Sequence, residues 1–124
     1  DLSWRAQLAG YRCVYAPRAL LYHKVSATGK GVLRSYRVAR NTLWTLAKDL
    51  PAELWQRHRR EILAAQWARF RDALRAWRGE EARATLRGQL VGLATLPGMR
   101  HKRAQVQAMR RVDEAYLESL LVPD

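Results

Sequence analysis

The sequence predicts a mostly α fold with two short β-strands near its N-terminus, and three observations carry that reading. From Leu33 onward apolar residues recur at steps of three and four, the period of an amphipathic helix. Pro51, Gly79 and Pro97-Gly98 interrupt that pattern at intervals suited to packed helices of ordinary length. Between Tyr11 and Tyr22 the helical period lapses and strand-forming residues take its place.

In chain order, Leu2, Ala6, Leu8 and Ala9 stand at helical spacing and Gly10 is a stop. Tyr11-Arg12-Cys13-Val14-Tyr15-Ala16 is the first predicted strand, closed by Pro17, and Ala19-Leu20-Leu21-Tyr22 is the second. Leu33, Tyr36, Arg40, Leu43, Ala47 and Leu50 then mark one long helix, broadened by Trp44 and Leu46. Pro51 suits the first turn of the next, where Glu53 meets the positive end of the helix dipole. That helix has the strongest period: Leu63, Trp67, Phe70, Leu74 and Trp77 on one face, Arg57, Arg60, Arg71, Arg75 and Arg78 on the other. Glu80 and Glu81 open a helix reaching Leu96, in which Ala84, Gly88 and Gly92 leave one face nearly bare. A single final helix is expected from near His101 to Leu120.

The balance of 23 Lys and Arg against 11 Asp and Glu gives a formal charge of +12 over 124 residues. Such a surplus favours an anionic partner: phosphates, nucleic acid or acidic lipid head groups. The one cysteine, Cys13, is expected to be a buried thiol in a reducing compartment. No apolar run approaches the ~20 residues of a spanning helix, so the chain is not expected to cross a membrane. It opens without Met inside an apparent helix, which reads as a fragment of a longer protein.

The pattern D-L-S-W-R-x-x-L-A-G-Y-R-x-x-Y-x-P, followed by Tyr22-His23 and Ser26-Ala27-Thr28-Gly29, resembles the C-terminal part of family 2 glycosyltransferases, the rhamnosyltransferase-like members above all. Arg40-Asn41, Leu43, Leu46, Lys48 and Pro51 resemble the family's R-N-x-L-x-x-L-x-K-x-x-P helix. The match is specific over residues 1–51 and weak beyond. The resemblance implies an α/β nucleotide-sugar domain of the GT-A kind, ending in residues 1–31, with residues 32–124 as a basic helical extension. It implies transfer of a sugar from a nucleotide-sugar donor to a saccharide or lipid-linked acceptor, in cell-envelope polysaccharide synthesis. The family's catalytic base lies earlier in its E-D-x-D-L run, so the base is expected upstream of Asp1 and the isolated chain is expected to be inactive. Asp1 and Trp4 would lie at the rim of the acceptor site. His23 would hold a divalent metal, Mg or Mn, and with Lys30 the donor diphosphate. The implied location is cytoplasmic, peripheral on the inner face of the cell membrane.

Plainer roles compete with each of these. A lone histidine is more often structural than a ligand, although Tyr22 and the Ser26/Thr28/Gly29 loop favour a phosphate role for His23. Asp1 and Arg5 stand at the spacing of a local ion pair, and Trp4 suits core packing. Thr28-Gly29-Lys30-Gly31 is no phosphate-binding P-loop, because that motif needs Gly at 24 and a hydroxyl at 31. His23, His58 and His101 are too scattered for a metal set, and no cysteine pair suggests zinc. Gly88-x-x-x-Gly92 reads as close helix packing, since Arg87 and Gln89 flank it. Arg100-His101-Lys102-Arg103 and Arg110-Arg111 read as solvated charge.

The Trp/Arg helix, Pro51 to Arg78, is either an ordinary core-facing helix or an interfacial one on anionic lipid. A second reading of the whole chain follows: a non-enzymatic basic helical module on an anionic membrane surface or nucleic acid. Nucleic acid is the weaker partner, since no helix-turn-helix, RNA-recognition or zinc-finger pattern frames the charge.

Overall fold

The computed structural model describes residues 1–22 and 31–121. Six α-helices run through them: α1 Leu2–Leu8, α2 Gly31–Asp49, α3 Ala52–Arg75, α4 Glu80–Ala94, α5 Met99–Ala108 and α6 Glu114–Ser119. A 3-10 turn, Leu96–Gly98, joins α4 to α5. The stops read from the sequence recur here. Gly10 takes φ 85° just past α1, a conformation that costs glycine little, and Pro51 caps the start of α3.

The two predicted strands are not present: the described residues contain no strand and no sheet. From Tyr11 to Tyr22 the backbone is irregular and exposed, with one turn closed by the Ala19 amide donating to the Ala16 carbonyl at 3.0 Å. The physical reason is that β-propensity expresses the fit of a side chain to a neighbouring strand, and among the described residues none stands beside this segment. Tyr11, Val14, Tyr15, Leu20, Leu21 and Tyr22 are exposed in consequence. Cys13 is likewise an exposed free thiol, not a buried one. The all-helical architecture also replaces the expected α/β GT-A arrangement.

Two kinds of packing hold the helices. α2 lies along α4 over the molecule's most extensive interface, where Ala84, Gly88 and Gly92 are buried. A Cβ at Gly88 would collide with the Tyr36 carbonyl oxygen, and one at Gly92 would stand 2.8 Å from Leu43 Cδ1. The bare face read from the sequence therefore lets two backbones approach within the molecule. At the other end, Leu8 of α1, Leu54 of α3, Val106 of α5 and Leu117 of α6 form a buried cluster. Trp4, Leu50, Val112, Tyr116 and Leu120 pack against it half-buried. Residues 1–9 thus share their core with the C-terminal helices.

The final helix is two helices. α5 stops at Ala108, and the Arg111 amide donates to the Leu8 carbonyl at 2.8 Å instead of continuing a helical ladder. Asp113 restarts the chain as an N-cap, its carboxylate accepting from the Tyr116 amide at 2.8 Å.

Candidate functional site

The most built polar site joins the two segments that carry the family resemblance. Asp1 opens α1, and both its carboxylate oxygens accept from Lys48 Nζ near the end of α2, each at 3.0 Å. Arg5, one turn along α1, brings its Nε to 3.0 Å of the same carboxylate, the ion pair expected from their spacing. Lys48 also stands 3.5 Å from the carboxylate of Asp49, which is wholly buried. Neither Asp49 oxygen has a hydrogen-bond partner among the described residues, and burial pushes its carboxyl above the usual range while Lys48 partly offsets that. Two carboxylates and two cations make this junction formally neutral.

The junction also closes the C-terminus of α2, whose last carbonyls have no partner within the helix. The Trp4 indole N–H donates to the Asp49 carbonyl at 3.1 Å, and the Gln107 amide donates there as well at 3.1 Å. Arg103 donates to the carbonyls of Ala47 and Leu50 at 3.0 and 2.6 Å. Trp4 is thus a half-buried anchor with its one polar atom satisfied. Arg103 is a structural donor and not solvated charge. Arg110 is also engaged and half-buried, pairing with Glu53 at 3.1 Å and donating to the Val112 carbonyl at 2.9 Å. The Arg40-Asn41 pair is tied internally: Arg40 donates to Asn41, and its guanidinium lies 4.2 Å above the Trp44 ring.

Of the sequence-predicted site residues, Asp1 and Trp4 meet here on α1, whereas His23 and Lys30 lie outside the described residues. No group of three or more His, Cys, Asp or Glu is placed to hold a metal among the described residues. Sequence reasoning missed Asp49, Arg103 and Gln107, because the hydrogen bonds that define them span 45 to 58 residues. It also missed the tie between α3 and α6. There His58 lies 2.9 Å from both Glu61 and Glu118, and those bonds raise its pKa above the ordinary value. Arg57 reinforces it with Glu114 at 2.6 Å and Glu118 at 3.2 Å.

A second feature is apolar. A cavity of about 460 Å³ lies between α2, α3 and α4, lined mainly by Leu43, Leu46, Trp55, Ile62, Leu63 and Leu93. Its walls offer almost no polar groups, so it suits an aliphatic moiety and no charged one. From Leu63 at its wall the strongest apolar stripe of the sequence turns largely away from the core, with Phe70 alone half-buried and stacked on Trp67 at 5.5 Å. Trp67 is 63% exposed, Leu63 56%, Trp77 57% and Leu74 52%. α3 packs instead through Ile62, Gln66, Arg69 and Ala73, with the buried Gln89 of α4 donating to the Gln66 carbonyl at 3.2 Å.

Comparison with family models, with curated proteins and with solved structures finds no match to this chain. No helix among the described residues is long and apolar enough to cross a membrane.

Proposed function

We propose that this chain is the C-terminal portion of a glycosyltransferase that moves a sugar from a nucleotide-sugar donor to a saccharide or lipid-linked acceptor. The carrying observation is the junction. The match to family 2 enzymes runs over residues 1–51, and its first part, from residue 1, is tied to its last, residues 40–51, by Asp1 to Lys48 and by Trp4 to the Asp49 carbonyl. A motif pair whose members bond to each other is a unit, and chance similarity in two separate stretches gives no reason for that.

In this reading the ion network around Asp1 fixes the direction in which the chain enters α1. Residues preceding Asp1, among them the general base that would take the proton from the acceptor hydroxyl, are thereby held against a rigid helical support. A divalent ion, Mg or Mn, supplied with the nucleotide sugar would neutralise the departing diphosphate. His23 and Lys30 are the residues of this chain proposed to face that diphosphate. Asp1 itself, already compensated by Lys48 and Arg5, is a positioning residue.

The test is the in-frame sequence preceding Asp1, followed by transfer assays on the protein that includes it. Glu-Asp-x directly before Asp1, with metal-dependent sugar transfer lost in Lys48→Met but retained in Lys48→Arg, is the expected result. An unrelated sequence there, or no transfer with any nucleotide sugar, would contradict the proposal.

A further inference from the structure

The outer face of α3 and α4 carries a surface that is independent of the proposed activity. Leu63, Trp67, Leu74 and Trp77 each leave more than half of their surface exposed, although Trp67 stacks on the half-buried Phe70 at 5.5 Å, and α4 adds exposed Leu90 and Leu93. Leu63 and Leu93 also line the apolar cavity, so the exposed stripe runs into a groove. An apolar patch of this extent marks a site of interaction, and the charges around it decide with what.

By helical geometry Arg60 and Arg71 lie within about 60° of the line through Leu63, Trp67 and Leu74. Arg59, Arg78 and Arg87 are exposed nearby on the same two-helix unit. The guanidinium groups of Arg59, Arg60, Arg78 and Arg87 have no hydrogen bond or ion pair among the described residues. The acids of α3 beyond its first turn are already engaged: Glu61 with His58, and Asp72 with Arg71 and Arg75. An apolar stripe of Trp and Leu is therefore fringed by an excess of cations: Arg71 shares Asp72 with Arg75, Glu80 and Glu81 stand at the start of α4, and Arg59, Arg60, Arg78 and Arg87 have no acidic partner among the described residues.

A nucleic acid would satisfy the arginines but leave the leucines in water. A bilayer satisfies both at once, with Trp and Leu at the boundary of head groups and acyl chains and guanidinium groups on lipid phosphate. We infer that the α3–α4 face docks the chain in the plane of a membrane surface rich in anionic lipid.

Co-sedimentation of the 124-residue chain with vesicles tests this, using phosphatidylcholine alone and phosphatidylcholine mixed with phosphatidylglycerol. Binding is expected to the mixed vesicles and to weaken with salt. Trp67→Ser/Leu74→Ser should weaken it about tenfold or more, and Arg60→Gln/Arg71→Gln several-fold. Arg100→Gln/Lys102→Gln, which removes the same charge from exposed positions on α5, should change it less than about twofold. All replaced side chains are exposed, so unchanged helical circular dichroism confirms that folding is intact. Equal binding to pure phosphatidylcholine would overturn the inference, as would wild-type affinity in Trp67→Ser/Leu74→Ser. A loss from the α5 pair as large as that from Arg60→Gln/Arg71→Gln would also reject it, by reducing the attraction to net charge.

Discussion

The cluster of Leu8, Leu54, Val106 and Leu117 and the stripe of Leu63, Trp67, Leu74 and Trp77 are equally apolar, yet one is buried and the other faces outward. The difference lies in what surrounds them. At the first, four helices converge, and Trp4, Arg103 and Gln107 satisfy the carbonyls that the end of α2 would otherwise leave bare. At the second, α3 meets its neighbours through Ile62, Gln66, Arg69 and Ala73, and Leu63, Trp67, Leu74 and Trp77 are left mostly outside. Hydrophobicity selects candidates for a core. Convergence of helices and satisfied polar groups decide among them.

The comparison can be broken most forcefully at the cluster. Leu8→Ala should cost about 2–5 kcal/mol, since the side chain is fully buried and α1 has few other apolar anchors. Urea denaturation followed by circular dichroism measures it. Next in size, Gly88→Ala should cost about 1–3 kcal/mol by forcing α2 and α4 apart, whereas Gly98→Ala, with open space around its Cα, should change little.

Titration gives a subtler test of the polar ties. His58 has a raised pKa in the folded chain, so its charged bonds to Glu61 and Glu118 stabilise fully below the ordinary value of 6.5. That stabilisation fades as pH rises through the raised value. Asp49 works in the opposite sense: its raised pKa means no penalty below 3.8, a growing one as pH rises through the raised value, and the full one above. NMR titration of the His58 ring and denaturation of Asp49→Asn against pH check the pair. His58→Gln should remove the first slope, and Asp49→Asn should be at least as stable as wild type at neutral pH. A small effect belongs to the outward stripe, where Trp67→Ser, losing its stack on Phe70, should cost only about 0.5–1.5 kcal/mol.

Much of the helical framework was legible in the sequence, because its stops are local: Gly10, Pro51 and Gly79 each act within a turn or two of their own position. The close packing through Gly88 and Gly92 was legible too, since a run of small residues at four-residue spacing has few other uses. Three things were not. Strand propensity at Tyr11–Ala16 carries no information about whether a partner strand is at hand. The inward side of α3 depends on what α2 and α4 present to it, and periodicity identifies a stripe without saying which way it faces. The Asp1–Lys48–Asp49 junction is invisible because nothing local distinguishes Lys48 from the other cations of a very basic chain. The break before α6 did have a signal in Asp113, a good N-cap inside an otherwise helical pattern.

Hydroxyl-radical footprinting with peptide-level mass spectrometry reads the contrast between the two apolar sets directly. The structure predicts that Trp67 and Trp77 are oxidised several-fold faster than Trp4, whose indole is half-buried and bonded to the Asp49 carbonyl. Equal protection of all three would place the α3 stripe inside the fold, and both the packing account and the membrane-facing surface would fall with it.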